Sequence, residues 1–346
     1  KIFVDNKRIR HSIKVLHEEI NVGKILEQYN QNKVLVVCNT VKQAQKIYKE
    51  LKSILGKNRN DLNLLHSRFL KKDRTCKENR ILSMGERTSE ETGIWIGTQI
   101  VEASLDIDFD VLLTELSDLN GLFQRMGRCY RNRELDKEYN CYVFDGGDRK
   151  CSGVGKNSVI DPDIFMLSKN TLKTLDGIID EQTKVDMIKD IYTMENLRGT
   201  DYFKIFQSSM TFVKSLFDNE KSKSEVLKEF RNIHSANVMP ESVYQKNKDE
   251  IEEILDFINQ PYDKELSLDE RKNLKKDKAR QKTRLYDYLV NVNYQYIEKN
   301  YGKIERAIGK YEKFFSLKCD YSKEVGVEFL KEEKKGQKAG QEDSFF

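Results

Sequence analysis

Short apolar runs alternating with helix-patterned stretches predict an α/β fold: a doubly wound parallel sheet flanked by helices, then a mainly helical region and a smaller α+β domain. Two observations carry that prediction. The apolar runs are continuous rather than alternating, as strands buried on both faces of a parallel sheet require. Polar residues (Asn39, His66 and Thr98) stand just past three of the run ends, the edge where open α/β sheets bind ligands. Val34-Leu35-Val36-Val37 is the first such run, and Asn39-Thr40 then offers helix-capping oxygens. Val41, Ala44, Ile47, Tyr48, Leu51 and Leu55 follow at helical spacing, which completes one βα unit. Leu62-Asn63-Leu64-Leu65 opens a second unit, Ile94-Trp95-Ile96 a third and Val111-Leu112-Leu113 a fourth, and Tyr139-Asn140-Cys141-Tyr142-Val143-Phe144 reads as a closing strand. Lys1-Ile2-Phe3-Val4 is already strand-like, which suggests a cut through a folded region.

The 346 residues have room for two domains with their own cores. A net charge of +4 is too small to imply a nucleic-acid partner without knowing where the cations lie. Six irregularly spaced cysteines with no Cys-x-x-Cys pair read as reduced thiols, and with four histidines they argue against a zinc site. No apolar run approaches membrane length and no signal-like segment opens the chain, so the expected location is cytoplasmic, with no membrane partner.

The expected domains are 1–150 for the sheet, 151–224 for a helical linker region, 225–335 for a C-terminal domain and 336–346 for a mobile tail. Leu167, Leu172, Leu175, Ile178 and Ile179 form one amphipathic stretch, and Phe203, Phe206, Met210, Phe212, Val213 and Leu216 another; both read as core stripes. Phe230-Arg231-Asn232-Ile233 and Ala236-Asn237-Val238-Met239 read as short strands, the second ended by Pro240.

Chemistry concentrates in a few places. In Gln124-Arg125-Met126-Gly127-Arg128-Cys129-Tyr130-Arg131, residues 124, 128 and 131 stand at i, i+4 and i+7, so one helix face would aim two guanidinium forks and an amide at a phosphate, with Arg125 pointing away. Upstream, Gly97-Thr98-Gln99 ends a strand, and Asp106 and Asp108 supply carboxylates to orient an arginine or hold a ribose hydroxyl; capping the next element is the plainer role for Asp108. His66, Ser67 and Arg68 could jointly meet a phosphodiester, whereas His11, His17 and His234 have no comparable setting and receive no assignment. A basic run from Arg271 to Arg284, including Lys275 and Lys276, leads into Tyr286, Tyr288, Tyr294 and Tyr296. It is either a solvated helix face or a groove that neutralises phosphates and stacks bases.

Taken together, Thr98-Gln99-x-x-Glu102-x-Ser104-Leu105-Asp106-x-Asp108-Phe109-Asp110 and the Gln124–Arg131 segment resemble motifs V and VI of superfamily 2 helicases. The wording is similar to that of the helicase-nuclease family of type I CRISPR interference. Val37-Cys38-Asn39-Thr40-Val41-x-x-Ala44 resembles that family's motif IV, and Leu65-His66-Ser67-Arg68-Phe69 with Asp73-Arg74 its motif IVa. The resemblance implies a second RecA-like lobe followed by a C-terminal domain that closes over a DNA channel. It implies ATP with Mg2+, held mainly by a first lobe, and arginine fingers at Arg128 and Arg131, with Gln124 coupling them to lobe closure. It implies Asp106 and Asp108 beside the nucleotide at the carboxyl edge of the sheet. Asn39, Thr40, His66, Ser67, Arg68, Thr98 and Gln99 would grip single-stranded DNA by its backbone. The implied partners are single-stranded DNA, the Cascade surveillance complex, the first helicase lobe and a nuclease domain.

The first lobe is not legible in this sequence. Its phosphate loop should read Gly-x-x-x-x-Gly-Lys-Ser/Thr, but Gly153-Val154-Gly155-Lys156-Asn157-Ser158 lacks the early glycine and has Asn after the lysine. No His-Asp pair marks a nuclease. The expectation is therefore the C-terminal half of an ATP-dependent DNA translocase, inactive alone. The alternatives are a non-catalytic module that docks on DNA or Cascade, and the lobe of a superfamily 2 RNA helicase.

Overall fold

The computed structural model describes residues 8–56, 59–102, 105–156, 158–215, 235–261, 263, 265–300 and 302–329. The strands expected at 1–4 and 230–233, the tail at 336–346, and Ser104 and Leu216 lie outside them. The described residues fall into two compact units, one drawn from 8–66 and 77–215 and the other from 67–76 and 235–329.

The first unit runs β1 (His11–Leu16), α1 (Val22–Gln28), β2 (Lys33–Val37), α2 (Val41–Leu55), β3 (Leu62–Leu65), α3 (Lys71–Gly85), whose first turn clusters with the second unit, β4 (Gly93–Gly97), β5 (Val111–Glu115), α4 (Leu119–Met126) and β6 (Cys141–Phe144). It continues through α5 (Pro162–Leu172), β7 (Asp176–Ile179), α6 (Glu181–Ile191), α7 (Met194–Leu197) and α8 (Asp201–Ser215). The seven strands form one sheet in the order β3-β4-β2-β5-β6-β1-β7, parallel except for β7. Every residue of β2, β4 and β5 is buried, as their unbroken apolar runs require. α2 begins where the sequence places it: the Thr40 hydroxyl accepts from Gln43 N at 3.2 Å, and Ala44, Ile47, Tyr48 and Leu51 face the sheet.

Register defines two edges. Val37 pairs with Gly97 and Thr114, Leu65 with Gly97, and Glu115 with Phe144, so the carboxyl ends of these strands share one edge. Lys33 pairs with Gly93, Val34 with Val111 and Ile13 with Cys141, which places the amino ends on the other.

Three expectations change. The helix expected through Ile178 and Ile179 stops at Leu172; Gly177 turns at φ +93° and the two β-branched isoleucines join β7, antiparallel to β1. The expected break at 150 does not divide the units, because Phe165, Leu172, Ile179 and Ile191 complete the same core as Leu35, Trp95 and Leu112. The stripe on α8 is not core: no residue of that helix is buried, Phe203, Phe212 and Val213 are only partly covered, and Ile205, Phe206 and Met210 are 61%, 51% and 43% exposed.

The second unit contains β8 (Ser235–Pro240), α9 (Glu241–Lys246), α10 (Lys248–Asn259), α11 (Leu268–Tyr286), β9 (Val290–Asn293), α12 (Gln295–Glu298), β10 (Ile304–Ile308), β11 (Glu312–Leu317), β12 (Asp320–Ser322) and β13 (Gly326–Glu328). Its main sheet has the order β10-β11-β8-β9, over a core that includes Val238, Met239, Ile251, Ile254, Leu285 and Phe314.

Candidate functional site

The carboxyl edge of the first unit carries Asn39, Thr40, His66, Thr98 and Gln99, the residues expected there. Most of them are used by the protein itself. Asn39 is 1% exposed; its backbone N–H donates to Glu115 Oε2 at 2.7 Å and its side-chain amide to the Leu116 carbonyl at 2.8 Å, while Oδ1 is buried without a partner. Gln99 Nε2 donates to the Asn39 carbonyl at 2.8 Å. Thr40 hydrogen-bonds the Ser152 hydroxyl at 3.1 Å. Glu115, which sequence reasoning missed, organises this edge: it accepts from Asn39 N, from Ser152 N at 2.9 Å and from Ser152 Oγ at 2.6 Å, and burial raises its carboxyl above the usual range. Its only sequence signal is an acid closing an apolar strand. His66 is fully buried and Thr98 is 4% exposed, so direct phosphate contact by His66, and by the Asn39 amide, is not available in this conformation; Thr40 and Gln99 remain partly exposed.

Ser67 and Arg68 cluster with the second unit. Ser67 is exposed. The Arg68 guanidinium lies 4.6 Å from the Tyr296 ring centroid and 5.3 Å from that of Phe329, and donates to the Tyr296 hydroxyl at 2.5 Å. Arg68 is thus held on an aromatic pair in this unit.

Arg128, Arg131, Asp106 and Asp108 lie at the amino edge, opposite to the carboxyl edge where the nucleotide was expected. Phe109 N donates to the Arg128 carbonyl at 3.0 Å and Arg131 N to Asp108 Oδ1 at 3.1 Å, just before β5 begins, while Asp110 bonds the backbone of Lys33 at the start of β2. The chain comes up β5, turns at Asp118, which caps α4, and descends, so a helix starting at one edge ends at the other. The expectation of a single helix face through 124, 128 and 131 also fails, because α4 ends at Met126 and Tyr130 adopts φ +49°. A left-handed non-glycine residue is uncommon. Here the Tyr130 hydroxyl is tied to Asp136 and its ring lies under the Arg133 guanidinium at 4.3 Å.

The turn still brings the charged groups together. Arg128 donates through Nη1 to the Leu105 carbonyl and through Nη2 to the Glu102 carbonyl, both at 2.5 Å, and its Nε is buried without a partner. Arg131 Nε stands 3.3 Å from Asp106 Oδ1, with the two side chains 37% and 84% exposed. Gln124 is exposed. Asp108 is occupied, accepting from Arg133 Nε at 3.0 Å and from Arg131 N, so it serves the structural role rather than a ribose hydroxyl. Arg125, expected to point to a neighbouring surface, is fully buried: Nε donates to Glu102 at 2.7 Å, and Nη1 to the Thr114 hydroxyl at 2.9 Å and the Glu115 carbonyl at 2.7 Å.

Lys275 and Lys276 are exposed on α11. The tyrosines beyond them do not form an open row: Tyr286 bonds Glu312, Tyr288 bonds Glu250 at 2.8 Å, Tyr294 packs edge-on to Phe315, and Tyr296 stacks on Phe329. Burial and the Glu312 carboxylate push the Tyr286 hydroxyl up to about 12. A cavity of about 550 Å³ lined by Asp249, Glu250, Glu252, Glu253, Asp256 and Arg284 opens beside α11, and its carboxylates disfavour phosphate there. No helix among the described residues is long and apolar enough to cross a membrane.

A seven-stranded, mostly parallel sheet flanked by helices makes the first unit a RecA-like fold. Residues 30–134 match the family model described as CRISPR-associated nuclease/helicase Cas3, C-terminal, and the chain contains a C-terminal helicase lobe of the Cas3 type. The CRISPR-associated nuclease/helicase Cas3 of Methanothermobacter thermautotrophicus is 31% identical over 308 residues, 85% of this chain and 35% of that protein. The Escherichia coli Cas3 endonuclease/helicase is 44% identical over 101 residues, 29% of this chain and 11% of that protein. The chain therefore spans about a third or less of these relatives' lengths. Among solved structures, T. fusca Cas3 with AMPPNP superposes with a TM-score of 0.65 at 15% identity, over 92% of this chain and 42% of that one. A chain in a structure titled CRISPR RNA-guided surveillance complex, pre-nicking, gives 0.61 at 15% identity, over 93% and 42%. At these identities the structural likeness speaks for the fold alone.

Proposed function

We propose that this chain is the C-terminal half of an ATP-dependent single-stranded-DNA translocase that acts with Cascade in type I CRISPR interference in the cytoplasm. The observation that carries the reading is the exposed Arg131–Asp106 pair beside Arg128 at the amino edge of the sheet. A surface ion pair is worth only about 0–1 kcal/mol, so Arg131 can exchange Asp106 for a phosphate at little cost. Arg128 needs no such exchange to be aimed, because two loop carbonyls fix its plane. These residues fit a triphosphate presented by another lobe, with Gln124 exposed one turn away. When bound, ATP with Mg2+ supplies the phosphoryl group whose transfer drives the motor. This chain's part is to place Arg131 and Arg128 against charge that develops on that group, a contribution of about 10³–10⁵ in rate for such residues.

The opposite edge would meet the DNA backbone through Thr40, Gln99 and nearby backbone groups, with Asn39, His66 and Glu115 shaping the loops rather than touching phosphate. The test is to supply the first lobe and compare ATP hydrolysis with single-stranded DNA, with RNA and with neither. The expected result is no hydrolysis by this chain alone and DNA-stimulated hydrolysis by the reassembled pair. Stimulation by RNA in place of DNA would make it an RNA helicase lobe, and DNA binding without turnover would make it a binding module.

A further inference from the structure

His11 carries no role in the proposed mechanism, yet it is 1% exposed and sits where the arginine turn is attached. Its Nε2 lies 2.8 Å from the Met126 carbonyl and 2.9 Å from the Cys129 carbonyl, the ends of α4 and of the turn that follows. Carbonyls only accept, so Nε2 bears the proton. Nδ1 lies 2.7 Å from Lys184 Nζ on α6, and an ammonium only donates, so Nδ1 is the acceptor. The two contacts together select one neutral tautomer.

The surroundings reinforce this. Lys184 is 5% exposed and also donates to Glu181 Oε1 at 2.7 Å. The same oxygen accepts from Arg10 Nη2 at 2.7 Å, and Arg10 Nη1 donates to the Arg131 carbonyl at 3.0 Å. Three carbonyls of the turn, those of Met126, Cys129 and Arg131, are thus held by one connected group of side chains from β1 with its leading residue and from α6. The Met126 carbonyl, at the end of α4, also accepts from Cys129 N at 3.0 Å, and the His11 and Arg10 contacts add side-chain holds along the turn beyond it. The charged groups facing His11 are Arg10 ahead of β1 and Glu181 and Lys184 on α6. Burial and the Lys184 charge lower the imidazole to about 3, so the ring stays neutral across the working range.

The geometry points to His11 and Lys184 as positioning residues for the arginine pair: they clamp the carbonyl end of α4 so that the turn bearing Arg128 and Arg131 keeps one conformation. This rests on the motor reading for its consequence, but the clamp has a signature of its own. In the intact chain with ¹⁵N-labelled histidine, the His11 ring at about pH 5 should be a single neutral tautomer protonated on Nε2. A doubly protonated ring, or one protonated on Nδ1, overturns the clamp.

Its consequence is read in the pair reassembled with the first lobe, well below each variant's melting midpoint so that unfolding does not pass for lost turnover. His11→Leu and Lys184→Met should each lower kcat on the order of tenfold to a hundredfold, the scale of a misplaced group, with KM for ATP within about twofold. His11→Gln should restore most of kcat, because its amide can donate to both carbonyls. If Arg131→Ala abolishes turnover while His11→Leu and Lys184→Met stay within about threefold of wild type, the positioning role is wrong and the motor reading stands. If Arg131→Ala is itself silent, the motor reading has failed, and the ring measurement, which needs neither nucleotide nor first lobe, decides the clamp.

Discussion

At the scale of single residues, buried polar groups such as Arg125 and His11 tie together the segments that carry the motif residues. Arg125 shows why this was illegible: an arginine next to a helix end reads as solvated, and its partner Glu102 is 23 positions away. His11 was harder still, since its acceptors are backbone carbonyls 115 and 118 positions distant, and a carbonyl has no residue type. Thr40 was legible because a cap acts on its own helix. Arg125→Ala should destabilise the chain by about 3–5 kcal/mol, the range for breaking a buried pair, as urea denaturation will report. Arg125→Met with Glu102→Gln should recover part of that loss by removing the stranded charge. For His11 the folded-state value of about 3 lies below the ordinary 6.5, so the unfolded chain binds the proton more tightly. Its contribution is whole above pH 6.5 and declines as pH falls toward 3, by about 1.4 kcal/mol per unit within that window. His11→Gln should flatten that part of the stability-against-pH profile; an unchanged slope would mean the ring is not buried neutral.

At the scale of elements, the parallel strands were plain in the sequence because burial on both faces leaves an unbroken apolar run. The helices were legible only where a sheet covers them. α2 and α8 are both amphipathic, yet α2 buries its stripe and α8 buries none, and periodicity cannot tell which face finds a partner. The difference is measurable: Leu35→Ala in β2 should cost about 2–5 kcal/mol, the range for a buried leucine, whereas Ile205→Ala on α8 should change stability by less than about 0.5 kcal/mol. Equal losses would show that α8 is covered in solution. On α11 the cations divide: Lys282 and Arg284 are paired with Glu312 and Glu250, and Lys275 and Lys276 are exposed. Reversing both exposed charges should reduce the salt slope of single-strand binding by about 0.7 for each phosphate no longer neutralised, read by fluorescence anisotropy. An unchanged slope would leave them solvated.

At the scale of the molecule, a parallel sheet puts the arginine turn and the Asn39 loop at opposite ends of its strands. The order of motifs in the sequence showed that a helicase lobe was present, but not that the arginine turn and the Asn39 loop face opposite ways. That follows from topology, because β5 rises to one edge and α4 returns to the other. Glu102 and Arg125 span the distance, one contributing a carbonyl to Arg128 and a carboxylate to Arg125, the other bonding the Glu115 carbonyl at the far edge. In the proposed motor, the amino edge completes a nucleotide site begun by another lobe. Single-turnover ATP hydrolysis by the reassembled pair carrying Arg131→Ala tests it most directly: the expected result is a loss of about 10³–10⁵ in rate with ATP binding nearly unchanged, and a loss below about tenfold would contradict the claim.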